Sequence, residues 1–233
     1  MTRGSREHTV HGVVYNCGPC PYLADREFHA FHPNLAPGSP PYRQLMDQRF
    51  RRSGGHLYRP MCPGCDACQP LRVDVAAFRP RSDQRRAWRR NDDLTVTWHA
   101  RGLDIERADL YQRYQQAVHT PTDEPAPPDF LIEDGGVPGG ELHARDAAGR
   151  LLAVSICDLF GDALSSVYCY YEPEEPRRSL GTFMALCELA LCRERQLPWW
   201  YLGFLVHGCA KMEYKARFRP HEILEGGRWV RYD

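Results

Sequence analysis

Two lysines, Lys211 and Lys215, lie four residues apart in GCAKMEYKARFRP, and the other 28 basic side chains of the chain are arginines. A chain that writes its cations as arginine keeps lysine where a guanidinium would not serve. Lysine is a compact donor, and burial can lower its pKa. The spacing predicts one helical turn that carries both ammonium groups on one face. Tyr214 lies between them as a hydroxyl donor or proton relay. His207, just upstream, is a candidate acid or base, although a lone histidine is more often structural. The plainer reading of the lysines is codon drift at two surface positions.

A second constellation is made of thiols. CGPC holds Cys17 and Cys20, and CPGCDAC holds Cys62, Cys65 and Cys68. A Cys-x-x-Cys turn lets two thiolates converge on one metal. Any four of these five would complete a tetrahedral zinc site or hold an iron–sulfur cluster, and spacing does not choose between the two. The alternatives are reversible disulfides, or thiols packed in a small loop-rich core without metal. Cys157, Cys169, Cys187, Cys192 and Cys209 fall in apolar segments and read as small buried hydrophobes.

Charge adds a third. The net charge is zero, yet residues 43–90 hold 12 Arg against four Asp. A basic block within a neutral chain suggests an anionic partner, nucleic acid first. The competing reading is a solvated, salt-bridged face. In RPRSDQRRAWRRN, Arg85, Arg86, Arg89 and Arg90 make one wide cationic helix face, with Trp88 expected to anchor it in the core. In RRSLGTF, Arg177 and Arg178 precede Ser179 and Gly181 at a strand-to-helix junction, where free backbone N–H groups attract anions. No apolar run reaches 18 residues, so no membrane span is expected. The N-terminus lacks a secretory signal, and a cytoplasmic protein is the default.

These residues need a scaffold. Residues 1–40 are rich in Gly, Pro and His and read as mostly irregular. Helices are predicted over 41–50, over 82–91 with Ser82 or Asp83 as cap, over 103–119 with Leu103, Leu110, Tyr114 and Val118 on its buried face, and over 179–196, with a helix or turn over 209–215. Strands are predicted at 56–60, 69–75, 94–99, 141–146, 150–160, 163–173, 197–206, 222–225 and 228–231. The stretch 121–130, acidic and proline-rich, reads as a domain joint or a lid. The fold class is α+β. It comprises a smaller cysteine-containing N-terminal domain over 1–92 and a C-terminal domain over 93–233 with a mostly antiparallel sheet, an order compatible with an acetyltransferase-like fold without singling it out.

CPYLADRE, FRRSGGHLYRPMCPGCDACQPLRVDVAAFRPRSDQRRAWRRNDDL, YYEPEEPRRSLGTF and LPWWYLGFLVHGCAKMEYKARFRPHEIL together resemble the bacterial aspartate/glutamate leucyltransferases. These group with the eukaryotic arginyl-tRNA–protein transferases. The resemblance runs from about residue 17 to 229. It implies transfer of an amino acid from aminoacyl-tRNA, leucyl-tRNA first, to the N-terminal α-amine of proteins beginning with Asp or Glu. The product would enter the N-degron pathway. It places Lys211, Tyr214, Lys215 and Tyr201 at the catalytic site. Arg177, Arg178, Ser179, Gly181 and the arginines of 85–90 would contact tRNA. No cofactor is needed for the chemistry. CGPC is nearer the arginyltransferase pattern, and Ala24 stands where the family usually has Pro. Arginyl transfer is therefore an alternative, as is a non-catalytic, metal-dependent tRNA-binding protein.

Overall fold

In the computed structural model, which describes residues 10–35, 41–118 and 131–233, the apolar run Leu151–Phe160 is a strand buried along nearly its whole length. It is the eighth of twelve strands. In chain order these are β1 (Gly12–Pro19), β2 (Glu27–Pro33), β3 (Arg51–Ser53), β4 (His56–Pro60), β5 (Gln69–Asp74), β6 (Thr95–His99), β7 (Gly139–Arg145), β8, β9 (Ala163–Tyr171), β10 (Trp199–Leu205), β11 (His221–Glu225) and β12 (Arg228–Tyr232). The helices are α1 (Tyr42–Asp47), α2 (Ser82–Arg89), α3 (Ile105–Val118), α4 (Leu180–Glu194) and α5 (Ala210–Glu213). The expected loop at 121–130 lies outside the described residues. Among those residues no helix is long and apolar enough to cross a membrane.

The large sheet runs β12-β11-β5-β10-β9-β8-β7-β6. Every neighbouring pair is antiparallel except β9 and β10, which are parallel and joined by α4. That one crossover accounts for the apolar character of α4. Leu180, Phe183, Met184, Leu189 and Leu191 pack with Leu71, Leu152, Trp200 and Leu202 of the sheet in the main core. On the other face α3 sets Leu110 and Tyr111 against Leu151, Val154, Ile156 and Tyr170. Of the predicted stripe, Leu110 is buried and Leu103 and Tyr114 pack against this cluster, while Tyr111 and Gln115 are also buried and Val118 is exposed. The α+β class and the mostly antiparallel sheet are as expected.

Three local expectations change. Residues 12–33 are not irregular, because β1 and β2 pair with each other and β2 with β4 in a second sheet, β1-β2-β4-β3. The cap of α2 is Arg81, not Ser82 or Asp83, and the Gln84 side chain accepts from the Arg81 N–H at 2.8 Å. The expected division at residue 92 crosses the large sheet, since β5 lies between β10 and β11.

The two sheets are tied by charge. Neighbouring residues in a strand point to opposite faces, so Arg51 and Arg52 of β3 part company. Arg52 makes a two-pronged contact with Asp158 of β8, at 3.0 and 2.8 Å. Asp158 is fully buried and also accepts from Arg101 and from the Tyr42 hydroxyl. Removing one partner of a buried pair strands the other charge. Asp158→Ala should therefore cost about 3–5 kcal/mol of unfolding free energy. Urea melts of both proteins check this, and a loss below about 1 kcal/mol would place the junction elsewhere.

Candidate active site

Parallel strands β9 and β10 pair at only three positions, Trp199 with Ala163, Trp200 with Leu164 and Tyr201 with Ser165. Beyond Ser165 and Tyr201 the two strands are no longer paired with each other, and the gap where they part is the candidate cleft. On the β5 side the β10 register slips between Tyr201 and Gly203. Gly203 has φ +84°, and a Cβ there would meet only the Lys215 Nζ, at 3.4 Å. Glycine supplies both the left-handed backbone and the open space.

Lys215 comes to β10 from the turn after α5. It is buried, and its Nζ donates to the Phe204 carbonyl at 2.8 Å. Phe204 stands opposite Pro70, which has no N–H to offer. Burial, reinforced by the nearby Arg51 guanidinium, lowers the ammonium pKa to about 7. Lys211 is exposed. The two lysines do not share a face, because the chain passes from α5 into a 3-10 turn over Tyr214–Arg217. With three residues per turn instead of 3.6, i and i+4 no longer stack. Tyr214, between them, is 41% exposed. Its phenol lies within electrostatic reach of Tyr171 and Cys169 of β9 and of Glu188, and burial of the hydroxyl raises its pKa.

Glu188 escaped the sequence reading, although a lone acid inside the apolar helix SLGTFMALCELAL was the signal. It is 1% exposed and no cation touches it among the described residues. Its carboxyl accepts from Ser155 and Ser166, the latter at 3.2 Å, and from the Trp200 indole at 2.7 Å. Ser166 is the first residue of β9 beyond the paired segment. Glu188 therefore sits beneath the point where the strands part.

Tyr201 is not brought to the cleft. It is fully buried on the other face of β10, its hydroxyl donates to Asp47 at 2.7 Å, and the Arg72 guanidinium donates to it at 3.3 Å. The junction before α4 is partly spoken for. Arg178 pairs with Asp93 through two 2.8 Å bonds, and Gly181 leaves room for the Tyr171 ring, 3.1 Å from where its Cβ would be. Ser179 takes a left-handed φ of 55° and makes no side-chain cap. Arg177 stays exposed.

Helix α2 is docked beside this junction. Arg90 donates to the Arg177 carbonyl at 3.0 Å, and Asn91 to the Arg178 carbonyl at 2.9 Å. Arg85, Arg86, Arg89 and Arg90 are all exposed, so with Arg177 they form one cationic surface. Among the described residues none of the five is paired with a carboxylate. Trp88 is not a core residue: it is 45% exposed, with one face 5.6 Å from the Phe183 ring.

The cysteines gather without closing on a metal. Cys68 is buried, and burial together with Cys20, Cys62 and Cys65 pushes its thiol up to about 12. Cys17 stands apart, exposed, against the Tyr15 carbonyl. Among the described residues no three His, Cys, Asp or Glu side chains are placed to hold a metal ion. The thiols fit a soft metal in type but not in placement. Cys68 instead packs with Phe204, Val206 and Cys209, covering the end of β10 beside Lys215.

The chain matches the family models of the arginine-tRNA-protein transferase N terminus over residues 18–86 and C terminus over residues 106–225. An aspartate/glutamate leucyltransferase of Pseudomonas putida (strain W619) is 42% identical over 220 residues, 91% of this chain and 92% of the relative. One from Teredinibacter turnerae is 38% identical over 222 residues, 92% of this chain and 91% of the relative. Among solved structures, a C-terminal DUF2156 domain from Agrobacterium fabrum superposes with TM-score 0.52 at 14% identity, covering 87% of this chain and 65% of that one. L-PGS from Bacillus licheniformis gives TM-score 0.50 at 11% identity, covering 74% and 52%. These two likenesses establish the fold alone.

Burial raises the Glu188 carboxyl to about 7, and the hydrogen bonds from Ser155, Trp200 and Ser166 only partly offset it. An unfolded glutamate titrates near 4.3, so between those values the folded state holds a proton that the unfolded state has lost. Stability from this group is present at acid pH and lost as pH rises through about 7. Glu188→Gln removes that penalty. Relative to the parent, the variant should gain about 3 kcal/mol between pH 4.5 and pH 8. Denaturant melts across that range check it, and a difference independent of pH would contradict the assignment.

Proposed function

The chain belongs to the arginine-tRNA–protein transferase family, and on that premise we propose that it is an aspartate/glutamate leucyltransferase. It transfers leucine from leucyl-tRNA to the N-terminal α-amine of proteins that begin with Asp or Glu. Arginyl transfer, the alternative suggested by CGPC, is not favoured, because the similar curated proteins are leucyltransferases. A non-catalytic tRNA-binding module would leave the cleft and the lysine segment without a purpose.

The observation that carries the reading is the parting of β9 from β10, with Tyr214 within electrostatic reach of Cys169 and Tyr171 of β9 and of Glu188. Aminolysis of an activated ester needs little from side chains beyond placement. The amine nitrogen attacks the carbonyl carbon, the oxyanion collapses, and the bond to the tRNA 3′ oxygen breaks. The nitrogen loses a proton and the 3′ oxygen gains one. Holding amine and ester in line can contribute about 7–11 kcal/mol. A donor aimed at the oxyanion adds about 3–4 kcal/mol. Tyr214 is suited to that donor role by its half-exposed position at the cleft. Tyr201 is assigned no part, since its hydroxyl is engaged by Asp47.

The tRNA would enter over the cationic surface. Arg177 and the first-turn N–H groups of α4 would hold the 3′ end, and Arg85, Arg86, Arg89 and Arg90 would grip the acceptor stem. Lys211, exposed at the mouth, would meet a phosphate. The cysteine cluster contributes packing against the end of β10 and no chemical step.

Two measurements follow. Labelled leucine and labelled arginine, each presented as aminoacyl-tRNA, are offered to peptides beginning Asp, Glu or Ala. Leucine should move to the first two only. Movement of arginine instead, or of neither, would contradict the assignment. In the second, Arg86→Ala with Arg89→Ala should weaken leucyl-tRNA binding and lower the salt dependence of log K by about two units of slope. Unchanged slope would remove α2 from the tRNA footprint.

A further inference from the structure

Arg51 is a buried cation without a counter-ion. It is 5% exposed, and among the described residues no carboxylate forms an ion pair with it. Its Nη1 donates to the Met46 and Phe50 carbonyls, at 3.2 and 2.7 Å. Its Nε and Nη2 are buried with no hydrogen-bond partner. Unsatisfied buried guanidinium nitrogens are costly and call for an explanation. Asp47, the carboxylate in its electrostatic surroundings, is taken up by Arg43, Tyr201 and Trp229.

A second buried cation lies beside it. Lys215 and Arg51 repel each other, and both rest on Phe204: the ammonium on its carbonyl at 2.8 Å, the guanidinium 5.2 Å from its ring centre. Burying two like charges together opposes folding. What they would accept is an anion small enough to enter a protein interior. Gly203 carries no side chain, and the position a Cβ would take there lies 3.4 Å from the Lys215 ammonium nitrogen.

We propose that Arg51 and Lys215 form the receptor for the side-chain carboxylate of the acceptor's N-terminal Asp or Glu, with the unpartnered Nε and Nη2 of Arg51 as a two-pronged donor. This deepens the leucyltransferase reading and rests on it. The acid enters past Gly203 and is neutralised between the two cations. The α-amine, one or two methylenes away, is left in the cleft under Tyr214, where the ester is presented. A free carboxylate is thereby selected over an amide, because Asn or Gln would leave both cations unpaired in the interior. Burial and the Arg51 guanidinium lower the Lys215 pKa to about 7, and an arriving carboxylate would favour its charged form.

The test compares kcat/KM for peptides beginning Asp and Asn, with the parent enzyme, Arg51→Met and Lys215→Met. Each substitution keeps volume and removes a charge whose burial opposes folding. The Asp-to-Asn ratio should fall by roughly 30-fold or more in both variants, and leucyl-tRNA affinity should not change. A ratio that survives both substitutions overturns the proposal, and so does a fall that merely follows loss of tRNA binding. If one variant fails to fold, the other carries the comparison. The parent is also melted with Asp-Ala and with Asn-Ala dipeptide, without tRNA. A rise with Asp-Ala alone, abolished in Arg51→Met or Lys215→Met, supports the receptor even if leucine transfer itself were absent. No difference between the dipeptides contradicts it.

Discussion

The Arg52–Asp158 pair is the constraint on which the other parts depend. It fastens the short strand β3 to β8 through a carboxylate with no exposure to solvent. Once Arg52 is fixed, strand alternation leaves Arg51 no choice of side. It must lie against Tyr201 and Phe204 of β10, under the strand that forms one wall of the cleft. In the proposed assignment the N-terminal sheet supplies chemistry to a site whose other walls come from β9, α4 and the turn after α5. Strand β5, inserted between β10 and β11, locks the same arrangement from the opposite edge.

Two energetic exceptions mark this site. A buried carboxyl without a cation, Glu188, lies beneath the parting strands, and two buried cations without a carboxylate lie beside them. Each opposes folding, whereas other buried charges among the described residues are matched: Arg52 with Asp158, Arg107 with Glu141, Arg72 with Glu222. Desolvated charge is tolerated where function needs it. The cations prefer an acid over its amide, and Glu188 orients Ser166 at the cleft floor through their hydrogen bond.

How much was legible followed from how local the cause was. Strands β7, β8 and β9 and helix α4 are long buried runs bounded by turn residues, and their pattern carries them. β1 and β2 hold Gly, Pro and His, and β1 is largely exposed, so it is pairing, of β1 with β2 and of β2 with β4, that makes them strands. The importance of the lysine segment was visible in composition, but the divergence of Lys211 from Lys215 was not, since it depends on a switch of helical pitch at Tyr214. Arg51 was hidden in a block of arginines that read as a surface. Its burial is set by Asp158, 107 positions along the chain, and no window of sequence contains both.

A crystal structure of the enzyme soaked with the dipeptide Asp-Ala tests the central claim most directly. The account predicts the aspartyl carboxylate bound in two-pronged fashion by Arg51 and touched by the Lys215 ammonium, with the α-amine pointing into the cleft between β9 and β10. An aspartyl carboxylate held instead by Lys211 or by Arg177 at the start of α4, with Arg51 still unpartnered, would contradict it.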